Sequence, residues 1–100
     1  MKLNEIIKNL ENPVVSGDAG VEVSFITADS REVEAGAVFV AISGGVDGHQ
    51  YIDKAIELGA VAIVAESAPT VEQASKVAWV HTKKTKVVLA ELSNTLNNYP

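Results

Sequence analysis

The chain has 100 residues, 47% of them hydrophobic, and carries 13 acidic against 8 basic side chains for a net charge of −5. At that length one core removes roughly 65% of the surface that an unfolded chain exposes, so a single cooperative domain over 1–100 is expected, not disorder and not two domains. The absence of cysteine excludes disulfides, thiol catalysis and cysteine-ligated zinc, and an acidic chain with Arg31 as its only arginine excludes a basic nucleic-acid footprint.

Leu3, Ile6, Ile7 and Leu10 recur at i, i+3, i+4 and i+7 and predict an amphipathic helix that ends before Asn12-Pro13. Charges interrupt the apolar runs from Lys2 onward, so neither a signal peptide nor a membrane span of about 18 residues is read, and a cytoplasmic protein without membrane contact is expected. Ser16-Gly17-Asp18 reads as a turn. Val21 to Thr27, with Val21, Val23 and Phe25 alternating against Glu22 and Ser24, reads as a half-buried strand.

Glu34-Ala35-Gly36 turns the chain into Ala37 to Ile42, an unbroken apolar run that fits a central strand covered on both faces. Gly44 to Gly48 reads as a loop, followed by a helix over Gln50 to Leu58 that Gly59 stops. Val61 to Ala65 is a second wholly apolar run, and strand, helix, strand is the pattern of a parallel pair joined by a crossover. Thr70 to Lys76 predicts a short helix and Val77 to Val80 a strand with Trp79 as its bulky member. Leu89, Leu92, Leu96 and Tyr99 mark one side of a last helix, with Thr85 as candidate N-cap and Pro100 reading as a trimmed boundary. The class is α/β: a single domain with a mixed, mainly parallel sheet flanked by helices.

Two segments could carry chemistry. Asp29-Ser30-Arg31 follows a strand and offers an acceptor, a hydroxyl and a guanidinium; it reads either as a ligand contact or as a turn closed by side-chain-to-backbone bonds, with Arg31 paired to a surface acid such as Glu34. Gly44 to Gly48 lets a ligand approach the backbone in front of a helix, or is a structural turn in which Asp47 caps that helix. It has neither the G-x-G-x-x-G spacing nor the Gly-Lys-Ser/Thr of a P-loop. His49 and His81 lie far apart without ligand-spaced partners, so no metal site is expected, and Ser30, His49 and Asp47 lack the nucleophile-elbow context of a triad, so no catalytic residue is assigned. Lys83, Lys84 and Lys86 read as a solvated basic face, or as a phosphate contact.

Taken together, Asp29-Ser30-Arg31-x-Val33-x-x-Gly36-x-x-Phe39-Val40-Ala41-Ile42, then Gly44-x-x-Asp47-Gly48-His49-x-Tyr51-Ile52-x-x-Ala55-Ile56 and Gly59-Ala60, resemble the first domain of the Mur ligases of peptidoglycan synthesis. Within that family the likeness is greatest to the ligases that add the third peptide residue to UDP-N-acetylmuramoyl-L-alanyl-D-glutamate; the ligase that adds the D-alanyl-D-alanine dipeptide and a non-catalytic, protein-binding adaptor of the same fold are the alternatives. The resemblance implies that this domain grips the uridine diphosphate end of the UDP-N-acetylmuramoyl-dipeptide. Ser30 and its neighbour Ala28 match contacts after the first strand, Gly45, Val46 and Asp47 lie in the loop that touches the nucleotide, and Arg31 sits inside the motif. Only Gly45 and Val46 stand between Gly44 and Asp47, fewer than in many relatives, which points to backbone contacts there. The resemblance further implies ATP and magnesium for the full-length enzyme, held by later domains in cis and not by this one, so these 100 residues alone are expected to lack ligase activity.

Overall fold

Runs of small and β-branched apolar residues pack on both sides of a pleat only if a layer of helices covers each face, and the computed structural model has that arrangement. It describes residues 2–7, 14–17, 20–41 and 51–97. The elements in order are α1 (Leu3–Ile7), β1 (Val14–Ser16), β2 (Phe25–Thr27), a 3-10 turn (Ser30–Glu32), β3 (Ala37–Val40), α2 (Ile52–Glu57), β4 (Ala62–Ala65), α3 (Val71–Lys76), β5 (Ala78–His81) and α4 (Thr85–Asn97). The strands form one sheet in the order β1-β5-β4-β3-β2. Strands β2 to β5 are parallel and β1 runs antiparallel to β5. The fold is therefore α/β with a mixed, mainly parallel sheet flanked by helices, as the sequence predicts.

Strands β3 and β4 are buried at every position. Alternation sends Val38, Val40, Ala62, Val64, Ala78 and Val80 toward α1 and α4, where they meet Leu3, Ile6, Val88 and Leu92. The other face carries Ala37, Phe39, Ile63, Ala65 and Trp79 against Ile52 and Ala55 of α2. Each large side chain among these adds about 1.5–3 kcal/mol on burial, which is why the three strands richest in them hold the centre. The one polar atom of Trp79 is satisfied, since Nε1 donates to the Ser67 carbonyl at 2.9 Å.

Helix α3 buries none of its residues and depends on local bonds. Thr70 caps it: its hydroxyl accepts from the Gln73 N–H at 3.1 Å while the Gln73 carboxamide accepts from the Thr70 N–H at 3.0 Å. Gln73 Nε2 also donates to Asp53 Oδ1 at 2.9 Å, tying α3 to α2. Among the described residues no helix is long and apolar enough to cross a membrane.

The structure departs from the sequence reading at four places. Val14–Ser16 is a strand, β1, where only a turn at Ser16 was read. The stretch Val21 to Thr27 is broken: Glu22 bridges Lys2 and the Leu3 N–H donates to the Val21 carbonyl, so only Phe25–Thr27 pairs with β3. The pleat changes phase at Ser24 as a result, with Val23 on the α1/α4 face and Phe25 on the opposite one. Thr85 is the first residue of α4 and is buried at 3% exposure, so it is not the cap; the Thr82 hydroxyl accepts from the Lys84 N–H at 3.1 Å and closes the turn that leads into the helix. The inner stripe of α4 runs through Val88 and Leu92 with Leu89 partly buried, while Leu10, the Leu96 side chain and Tyr99 lie outside the described residues.

Candidate functional site

In a parallel sheet every strand presents its C-terminal end at one edge, and that edge is where loops can converge on a ligand. Here β2 pairs with β3 through Phe25↔Ala37, Ile26↔Val38 and Thr27↔Phe39. The segment Ala28 to Arg31 therefore leaves the sheet beside the exit of β3 at Ala41. Gly45, Val46 and Asp47, which follow that exit in sequence, lie outside the described residues, as do Ile42, Gly44, Gly48 and His49. The first residue of α2 is Ile52, with Tyr51 in the N-cap position and no side-chain cap bond.

The turn after β2 is built from side chains bonding to nearby backbone, as Thr and Asp favour. The Thr27 hydroxyl, buried with its residue at 8% exposure, accepts from the Asp29 N–H at 3.0 Å and donates to Glu32 Oε1 at 3.1 Å. Asp29 is the N-cap of the 3-10 turn, and its Oδ1 accepts from the Arg31 N–H at 2.9 Å. The Arg31 guanidinium folds back on the same carboxylate, Nε to Oδ1 at 3.0 Å and Nη2 to Oδ2 at 2.8 Å. Arg31 thus pairs with Asp29 rather than with Glu34, and the pairing is bidentate.

Hydrogen bonds from the Arg31 side chain, then from its backbone, hold the Asp29 carboxyl below its ordinary range, and Asp29 raises Arg31 in return. The guanidinium remains 87% exposed, so its other edge faces solvent. Ser30 is half-buried, and among the described residues its hydroxyl makes no hydrogen bond, although no fully buried side-chain polar atom there is left without a partner. Ala28 is exposed and places no bulk over the turn. Among the described residues the arrangement offers a Ser30 hydroxyl without a bond and the outer edge of a guanidinium whose charge Asp29 already balances, donors suited to hydrogen-bonding an oxygen-rich ligand.

The structure brings Ala28, Ser30 and Arg31 together in one turn. Lys83 and Lys84 follow β5 at the same edge and are exposed. Strand β5 lies three positions from β2, about 14 Å at the usual strand spacing, too far to share one phosphate with Ser30. Sequence reasoning missed Thr27 and Glu32; a threonine two residues before an aspartate is itself a turn signal and could have identified the first. Two concavities are lined by residues other than those of this turn, one of about 320 Å³ beside Val21, Val61 and Ala78, the other of about 590 Å³ between α2 and α3.

A model of the Mur ligase family, described as its catalytic domain, matches residues 22–96. A UDP-N-acetylmuramoyl-L-alanyl-D-glutamate--2,6-diaminopimelate ligase of Parabacteroides distasonis is 49% identical over 71 residues, which cover 70% of this chain and 15% of the relative. The enzyme of the same name from Phocaeicola vulgatus is 41% identical over 101 residues, covering 100% of this chain and 21% of the relative. The chain thus spans between 15% and 21% of the length of these two curated relatives. Among solved structures, the MurF ligase of Thermotoga maritima in complex with ADP is similar at a TM-score of 0.56 and 32% identity, covering 72% of this chain and 16% of that one. The UDP-N-acetylmuramoylalanyl-D-glutamyl-2,6-diaminopimelate--D-alanyl-D-alanyl ligase of Acinetobacter baumannii gives 0.59 and 23%, covering 69% and 15%, a likeness of fold alone.

Proposed function

Because the chain belongs to the Mur ligase family, we propose that it is the N-terminal, UDP-substrate-binding domain of a cytoplasmic, ATP-dependent ligase that adds the third peptide residue to UDP-N-acetylmuramoyl-L-alanyl-D-glutamate in peptidoglycan synthesis. The observation that carries the reading is the parallel pairing of β2 with β3, which sets the Ser30 turn beside the exit of β3. Ser30 offers its free hydroxyl to the nucleotide, Ala28 and Arg31 flank it, and Gly45, Val46 and Asp47 complete the contacts from the following segment. Binding energy gathered at the nucleotide end holds the distant reacting carboxylate in register, so the domain contributes positioning rather than bond making.

ATP and magnesium belong to the longer protein in this reading. The sequence has no Gly-Lys-Ser/Thr, and among the described residues no three His, Asp or Glu side chains gather as a cation would require. No step through either group is assigned to this domain, although the matching family model is described as catalytic.

Calorimetric titration with UDP-N-acetylmuramoyl-dipeptide tests the assignment. Binding by the chain and a loss of about tenfold in Ser30→Ala are expected, as for a hydrogen bond to a charged group. Equal heats from both proteins remove Ser30 from the site. The D-alanyl-D-alanine-adding ligase is the second reading, favoured by the likeness to the MurF ligase of Thermotoga maritima at 32% identity; the two readings share the nucleotide contacts and separate on whether the longer protein extends the UDP-muramoyl dipeptide or the tripeptide in an ATP-dependent ligation assay.

A further inference from the structure

We propose that Thr27 and Glu32 are positioning residues for the nucleotide site, clamping the Ser30 turn from its two ends. The inference rests on the reading of that turn as a nucleotide contact. Thr27 is the last residue of β2, an edge strand three residues long whose partner lies on one side only. Nothing in such a ladder fixes the direction in which the chain leaves it. The Thr27 hydroxyl supplies the missing restraint: it accepts from the Asp29 N–H at 3.0 Å and donates to Glu32 Oε1 at 3.1 Å, spanning the turn from first residue to last.

Inside that clamp Asp29 holds the Arg31 backbone and guanidinium. From residue 27 to residue 32, each side chain able to hydrogen-bond is engaged with a partner among the described residues except that of Ser30. Packing does not explain the threonine. Thr27 is as buried as the apolar side chains around it, and valine has the same shape, so the hydroxyl is the part of the residue that the turn requires. A ligand-contacting hydroxyl has to be held within about 0.5 Å of its productive place by neighbours that are themselves locked. Thr27 and Glu32 meet that need without reaching the ligand.

The experiment is calorimetric titration of uridine diphosphate into the chain and into Thr27→Val, Thr27→Ser, Glu32→Ala and Ser30→Ala variants. Thr27→Val is expected to weaken binding about three- to tenfold, the worth of one hydrogen bond, and Thr27→Ser to restore it to within about twofold. Glu32→Ala, an exposed substitution that leaves the core untouched, is expected to weaken binding in the same direction. Full affinity in both Thr27→Val and Glu32→Ala, with affinity lost in Ser30→Ala, overturns the clamp and leaves the nucleotide reading standing. Failure of Thr27→Ser to restore what Thr27→Val loses overturns it as well, since the hydroxyl is then not the cause. No binding by the unaltered chain sinks the nucleotide reading and the clamp together.

Discussion

Arg31 shows how far a side chain's role depends on its immediate neighbours. Two of its guanidinium nitrogens are taken by Asp29 two residues earlier, a geometry open only because Asp29 caps a 3-10 turn and its carboxylate faces the residues that follow. The pair is exposed, and exposed pairs add little to global stability, so its effect is on orientation: the guanidinium is fixed with its outer edge toward solvent. Because Arg31 favours the ionised form, the folded-state pKa of Asp29 lies below its unfolded value. The contribution of the pair is then fully present at neutral pH and is lost as pH falls through the lowered midpoint. In Arg31→Ala the carbon-13 titration of the Asp29 carboxyl should move up toward the ordinary aspartate value while the melting temperature stays unchanged. A midpoint that does not move would show that Arg31 is not what holds the carboxylate.

At the level of elements, the helix stop at Gly59 is the best test of how sequence became structure. Its φ is +108°, a conformation L-residues avoid, and an added Cβ would come within 2.9 Å of the Ala35 Cα and backbone nitrogen. Neither atom can swing aside, so Gly59→Ala should cost about 1–3 kcal/mol for the backbone strain alone and more with the clash, read as a shift in the urea midpoint. A midpoint unchanged within error would mean that the α2–β4 connection relaxes freely. This stop was legible because glycine marks it and apolar runs flank it on both sides, as they do for β3 and β4. Strand β1 was not legible: three residues with adjacent valines give no period, and the strand exists because β5 offers it an edge. The first half of Val21 to Thr27 misled for the same reason, its backbone being claimed by Lys2 and Leu3 at long range. Asp29-Ser30-Arg31 was legible as a turn from residue types and order, and as a candidate ligand contact only through the family resemblance, whereas the part of Glu32 in the bond to Thr27 needs the turn's geometry to be seen at all.

Across the whole molecule, two apolar layers share a single sheet, and each strand of β3, β4 and β5 contributes alternate side chains to both. Loosening one layer therefore disturbs the backbone that supports the other, and a chain of this size is expected to unfold as a unit. Leu92 on α4 and Trp79 on β5 are both fully buried and belong to opposite layers, so they report on that coupling. Leu92→Ala should cost about 2–5 kcal/mol, a large part of the roughly 5–15 kcal/mol that holds such a domain together. Trp79 is the only tryptophan, so its fluorescence reads the layer opposite the mutation with no competing signal. In a urea titration of Leu92→Ala, the fluorescence midpoint should fall together with the midpoint of far-ultraviolet circular dichroism. A tryptophan transition left at its original midpoint while the dichroism shifts would mean that the two layers melt separately; the edge bearing the Ser30 turn, whose strands belong to both, would then owe its shape to one layer alone.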